Sequence, residues 1–174
     1  ILFPAVTSRR ISPQQDGLAR DTDVTHATID TLAAYQADKA PFFHIAYYFG
    51  PHYPYAASVG TEDEDNYDKY KRTIRAVDAE IGKLLDWAQS SGLLRDTLVI
   101  VTADHGEEFE RTGRTGHATR LSDEQLKVPF LLIDQTGGPA GATANFNSHL
   151  DVAPYLLAQV NGTALPPPQP TILA

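Results

Sequence analysis

Two short strings carry most of the chemistry in this chain: Asp104-His105-Gly106 and Gly116-His117. A carboxylate next to an imidazole, with another imidazole a little further on, makes a candidate metal or phosphate cluster. Carboxylate oxygen and neutral imidazole nitrogen together suit zinc or manganese. Gly106 permits a sharp exit of the chain and a close approach of backbone. A plainer alternative stands beside this reading: Asp104 caps a helix beginning at Gly106, and both histidines face water. The strand-like run before the pair, the glycine after it and the later Gly-His weigh toward the cluster. A third imidazole, His52, lies in Gly50-Pro-His-Tyr-Pro-Tyr55, a proline-stiffened loop. Its structural alternative is a loop histidine packed between Tyr53 and Tyr55.

The elements that must position these residues follow from periodicity. Leu98–Thr102 is a short apolar, β-branched run, which predicts a strand buried on both faces. Asp104 and His105 then fall at the carboxyl end of a parallel strand, where open α/β sheets bind their ligands. Phe42–Phe49 is aromatic and β-branched and predicts a buried central strand that ends just before His52; His44 lies inside it as a structural residue. Thr22 or Asp23 caps a helix running to about Lys39, with Val24, Ala27, Ile29, Leu32 and Tyr35 as its apolar face, His26 as an ordinary helix residue, and Pro41 closing it. The acidic run Thr61–Asp65 suits a helix N-terminus. That helix reaches about Ser91 and stops at Gly92. Tyr67, Tyr70, Ile74, Val77, Ile81, Leu84 and Leu85 form its buried stripe, and Asp78 beside them needs a partner if buried. Val128–Ile133 is another short strand, with Pro129 among its first residues. Lys127 at its mouth either contacts an anionic ester or faces water.

Between these elements, Glu107, Glu108 and Glu110 either tune the cluster from behind or face solvent. Residues 112–119 form an active-site loop that delivers His117, flanked by Arg111, Arg114 and Arg120. One of these arginines could neutralise a substrate anion. Asn147-Ser-His-Leu-Asp151 leads into a helix with Ser148 as its cap, and His149 has ligand and structural roles equally open to it. Alternating strands and helices predict an α/β class with a mainly parallel sheet flanked by helices.

The chain has 174 residues and a net charge of -8, with hydrophobic content ordinary for a globular protein. That acidic balance argues against a nucleic-acid partner, which needs a basic surface. Lack of cysteine removes disulfides, thiolate zinc sites and a cysteine nucleophile. No run approaches the ~20 apolar residues of a membrane span. With no methionine, the chain reads as a fragment, a processed product or an excised domain.

Four ordered strings, Val101-Thr-Ala-Asp-His-Gly-Glu-Glu-Phe109, Gly116-His117, Gln125–Ile133 and Ser148–Leu157, resemble the C-terminal half of a sulfatase-type domain of the alkaline phosphatase superfamily. The likeness runs from about Pro41 to Gly162 and extends to bacterial inner-membrane sulfatase-like hydrolases, whose relatives include lipoteichoic acid synthases and phosphoethanolamine transferases. It implies a single partial alkaline phosphatase-like domain over residues 1–174, with 163–174 as a proline-rich tail.

Function follows the same resemblance. It implies metal-dependent transfer or hydrolysis of a sulfate or phosphate ester, possessing zinc or manganese ahead of calcium or magnesium. Asp104, His105, His117 and His149 would be metal ligands, and His52 and His117 would hold the transferred group. The substrate would be an anionic ester, a lipid head group among the candidates, on the periplasmic face of the inner membrane. The family's nucleophile signature, Cys- or Ser-x-Pro-x-Arg, is not matched: Ala5-Val-Thr-Ser-Arg9 has alanine and threonine at its defining positions, and the likeness is read as chance. The N-terminal half of the domain is therefore expected outside this chain, which is expected to be inactive alone. The alternative is a sulfatase-like module without catalysis, binding lipid or regulating at the membrane.

Overall fold

The computed structural model describes residues 17–55, 64–109, 115–117, 121–135 and 148–164. The Ala5–Arg9 string, Glu110, Arg111, Arg114, Arg120 and the proline-rich tail from residue 165 onward lie outside the described residues. The chain divides into two compact units.

The first unit, Ile1–Leu93 with Ala103–Val128, is built on two helices, α1 (Gly17–Asp38) and α2 (Asn66–Ser90), packed on one another. Asp65 caps α2, its carboxylate accepting from the Asp68 N–H at 2.8 Å. Gly92, at φ 78°, ends it in the left-handed region that glycine adopts without strain. The start of α1 lies ahead of the expected Thr22 or Asp23, which are helix-interior residues. Its buried face is Asp21, Thr25, Thr28 and Leu32, at helical spacing but mostly polar. Thr73, Val77, Glu80 and Ala88 are the buried residues of α2, whereas Tyr67 and Ile74 of the expected stripe are exposed. Asp78 is also exposed, so it needs no partner.

Buried polar groups are costly unless hydrogen-bonded, and in the α1–α2 seam side chains supply most of these bonds, although Glu80 Oε2 has none among the described residues. The Thr22 hydroxyl donates to Glu80 Oε1 (3.2 Å), and Thr25 bonds both the Asp21 carbonyl and the Tyr48 hydroxyl (3.1 Å each). Burial pushes the Glu80 carboxyl up, but Lys83 and the threonine hydroxyls outweigh it and leave it below the usual range.

Phe42–Phe49 is a correction to the sequence reading. Its side chains alternate between half-buried and exposed, the period of an extended chain, but it makes no strand ladder among the described residues. Phe43, Ile45 and Tyr47 are 69%, 74% and 59% exposed. The aromatic run predicts cover on both faces, and the described residues cover only one.

The second unit, Leu94–Thr102 with Pro129–Ala174, holds β1 (Leu98–Thr102) and β4 (Phe130–Asp134). They pair antiparallel, from Leu98 opposite Asp134 to Thr102 opposite Phe130. β2 (Glu108–Phe109) and β3 (Thr115–Gly116), in the first unit, also pair antiparallel. The mainly parallel sheet is thus not what the described strands form. Parallel neighbours need a crossover, usually helical; the only described helix between β1 and β4 is α3 (Asp123–Leu126), of 4 residues. Ser148 starts the last helical stretch with a reciprocal capping box to Asp151, as its sequence position predicts, and α4 (Val152–Asn161) follows. No described helix is long and apolar enough to cross a membrane.

Candidate active site

Three loops of the first unit bring His52, His105 and His117 together. The His105 and His117 ring centroids are 4.0 Å apart and those of His52 and His117 5.9 Å. The His52 loop is fixed from α1: Asp21 Oδ1 accepts from the Phe49 and Gly50 N–H groups at 3.1 and 3.2 Å. The His52 ring stacks on Phe49 at 4.4 Å, while Tyr53 and Tyr55 pack edge-to-face on each other. The alternative of a histidine held between those tyrosines therefore does not describe it.

His105 sits in a turn locked by α3, where the Gly106 N–H donates to the Gln125 carbonyl at 2.8 Å. A Cβ on Gly106 would lie 2.0 Å from the Glu124 carbonyl oxygen, so this approach requires glycine. The neighbouring glutamates diverge. Glu108 is fully buried and accepts from Ser122 and Gln125, which anchors α3. Glu107 accepts from His117 Nδ1 at 3.0 Å with one oxygen and from the Tyr55 hydroxyl at 2.8 Å with the other.

These bonds assign the imidazole protons. His52 Nδ1 lies 2.8 Å from the Tyr53 carbonyl, and His105 Nδ1 lies 2.8 Å from the Gly106 carbonyl. A carbonyl only accepts, so both Nδ1 atoms carry hydrogen. His117 Nδ1 faces a carboxylate in the same way. In its neutral form each of the three rings then presents Nε2 as the nitrogen with a lone pair. That is the form that ligates a metal or takes a proton from a substrate.

A divalent metal fits part of this site. Asp104 Oδ1 and His105 Nε2 are 3.9 Å apart on exposed side chains; two donors on a tetrahedral ion with ~2.1 Å bonds are about 3.4 Å apart. A small rotation would let both reach one ion. Asp104 also accepts from the Tyr47 hydroxyl, and burial, then the Asp104 charge, raises the Tyr47 pKa. Among the described residues, no three His, Cys, Asp or Glu side chains converge on one ion.

His149 belongs to the second unit, where its Nε2 is 3.1 Å from Thr102 Oγ1. Since that hydroxyl donates to the Pro129 carbonyl, the histidine is the donor to it. Lys127 is exposed and pairs with Asp123 at 2.6 Å. Glu107 and Tyr55 are the site residues that sequence reasoning did not separate from their neighbours. The one signal was an acidic side chain two positions after His105.

With this geometry in view, the sulfatase family model matches residues 5–163. The chain belongs to the sulfatase family. That membership implies an alkaline phosphatase-like α/β fold and extends upstream of the motif-based likeness, which began near Pro41. The chain is similar to the low-salt glycan biosynthesis sulfotransferase Agl7 of Haloferax volcanii, 32% identical over 138 residues, covering 70% of this chain and 34% of the relative. It is also similar to human arylsulfatase A, 29% identical over 144 residues, covering 79% of this chain and 28% of the relative. The sulfatase-family chain thus spans about a third of these relatives.

Proposed function

We propose that this chain supplies the imidazole-rich part of a site that hydrolyses or transfers a sulfate or phosphate ester. The observation that carries this reading is the convergence of three imidazoles, each with Nδ1 already committed to a fixed acceptor. Such rings bind the non-bridging oxygens of an anionic ester when protonated and accept a proton when neutral. Sulfate is the first choice, because the two relatives are named as a sulfotransferase and an arylsulfatase.

Asp104 and His105 would hold a divalent metal, zinc or manganese ahead of calcium or magnesium. Bound there, such an ion polarises ester oxygens and lowers the pKa of an attacking hydroxyl. His52 and His117 would hold the transferred group. For His149, the bond to Thr102 supports the structural of its two roles. The nucleophile and the remaining acidic ligands would come from sequence beyond this chain, which would then be inactive alone; turnover of an aryl sulfate or phosphate by the chain itself would refute that. A lipid head group as the alcohol, and an extracytoplasmic site at the membrane, rest on the motif likeness to inner-membrane hydrolases.

Thermal unfolding with zinc, manganese or calcium tests the half-site. A metal at a hundred times its Kd should stabilise by about 2.7 kcal/mol, and Asp104→Ala should abolish the shift. A cooperative melt that no metal moves would sink the metal assignment.

A further inference from the structure

We propose that Glu107 is a positioning residue for His117, anchored in turn by Tyr55, and that this device selects the ring nitrogen of His117 that the site receives. The inference deepens the ester-site reading and rests on it. Glu107 has only 6% of its side chain exposed, and each of its oxygens takes one donor: the Tyr55 hydroxyl at 2.8 Å and His117 Nδ1 at 3.0 Å. A carboxylate shared in this way resists rotation, because turning it breaks both bonds at once.

The anchor is itself immobile. Tyr55 is 1% exposed, its ring packs against Tyr70 and Phe109, and its carbonyl accepts from the Thr73 hydroxyl at 3.3 Å. Its backbone N–H donates to the His52 carbonyl at 2.9 Å. One buried tyrosine thus fixes the loop of His52 and, through Glu107, the ring of His117. With Nδ1 of His117 occupied, Nε2 is its open nitrogen, and His117 in turn lies against the His105 ring at 4.0 Å. A neutral histidine in water favours the proton on Nε2, so the Glu107 bond reverses the default tautomer.

The test is side-chain nitrogen NMR of the histidines in the isotope-labelled 174-residue chain, at a pH where His117 is neutral. Wild type should carry the proton on Nδ1 of His117. Glu107→Gln, which keeps one acceptor oxygen, should retain that form, and Glu107→Ala should lose it in favour of Nε2–H. A wild-type His117 protonated on Nε2, or an unchanged tautomer in a folded Glu107→Ala, overturns the proposal. Should the alanine variant not fold, wild type and Tyr55→Phe decide: loss of the anchor should give a mixture of tautomers, and a single Nδ1–H form in Tyr55→Phe overturns the anchoring. No ester and no metal enters this readout, so its failure is distinct from failure of the ester-site reading, which the metal-dependent melts test.

Discussion

Adding one methyl group at Gly106 tests how tightly the His105 turn is clamped. The new Cβ would meet the Glu124 carbonyl oxygen at 2.0 Å, its carbon at 3.1 Å and Gln125 Cα at 3.5 Å. All three are backbone atoms, so no change of rotamer relieves the contact. The turn and α3 must separate by more than an ångström, and the 2.8 Å bond from the Gly106 N–H to Gln125 is lost with that movement. Overpacking costs about 1–3 kcal/mol and the hydrogen bond about 1 kcal/mol. Gly106→Ala should therefore lower the thermal midpoint by roughly 5–15 °C for a chain of this size. Gly82→Ala is the matched control. Gly82 lies within α2, and its Cβ would meet nothing within 4 Å. There the same methyl should stabilise by about 0.5–1 kcal/mol, through helix propensity and loss of unfolded-state entropy. Equal melting of Gly106→Ala and wild type would refute the clamp, and equal losses in both variants would refute the reasoning from Cβ contacts.

Other perturbations give separate readings of the same unit. Tyr55→Phe leaves one oxygen of the buried Glu107 without its donor and should cost about 1–3 kcal/mol in urea unfolding; a neutral effect would remove the phenol from the network. Asp21→Ala strips the charged acceptor from the Phe49 and Gly50 N–H groups and should cost about 3 kcal/mol, with the largest amide shifts in the His52 loop. Burial holds the His44 pKa below 6.5. The unfolded chain then binds more protons than the native one in that window, so the His44 contribution is intact above pH 6.5 and falls as pH drops through the folded value. His44→Gln, which retains a partner for Thr28, should flatten the stability profile as pH falls below about 6.5; an unchanged slope would count against it.

The strand before Asp104, the stop at Gly92, the Ser148 cap and the need for glycine at 106 were all readable because each depends on a local rule of backbone geometry. The buried face of α1 was not. Apolar periodicity points to Val24, Ala27, Ile29, Leu32 and Tyr35, of which Leu32 alone is buried; the helix otherwise buries Asp21, Thr25 and Thr28, whose partners Phe49, Gly50, Tyr48 and His44 lie further along the chain. The cluster of His52, His105 and His117 was anticipated as a set of residue types, but its internal order was not. Two adjacent glutamates look alike in sequence, yet one holds His117 and the other holds α3. Strand direction failed for a similar reason, since an apolar run specifies burial and leaves its neighbour open.

The extended row from Phe42 to Phe49 has a consequence for handling the chain. An extended segment with Phe43, Ile45 and Tyr47 on an open face and no ladder partner among the described residues is a template for another strand. At high concentration, copies of the 174-residue chain should adhere to one another along this row. A lysine at Ile45 should keep them monomeric, as charged side chains do on natural sheet edges.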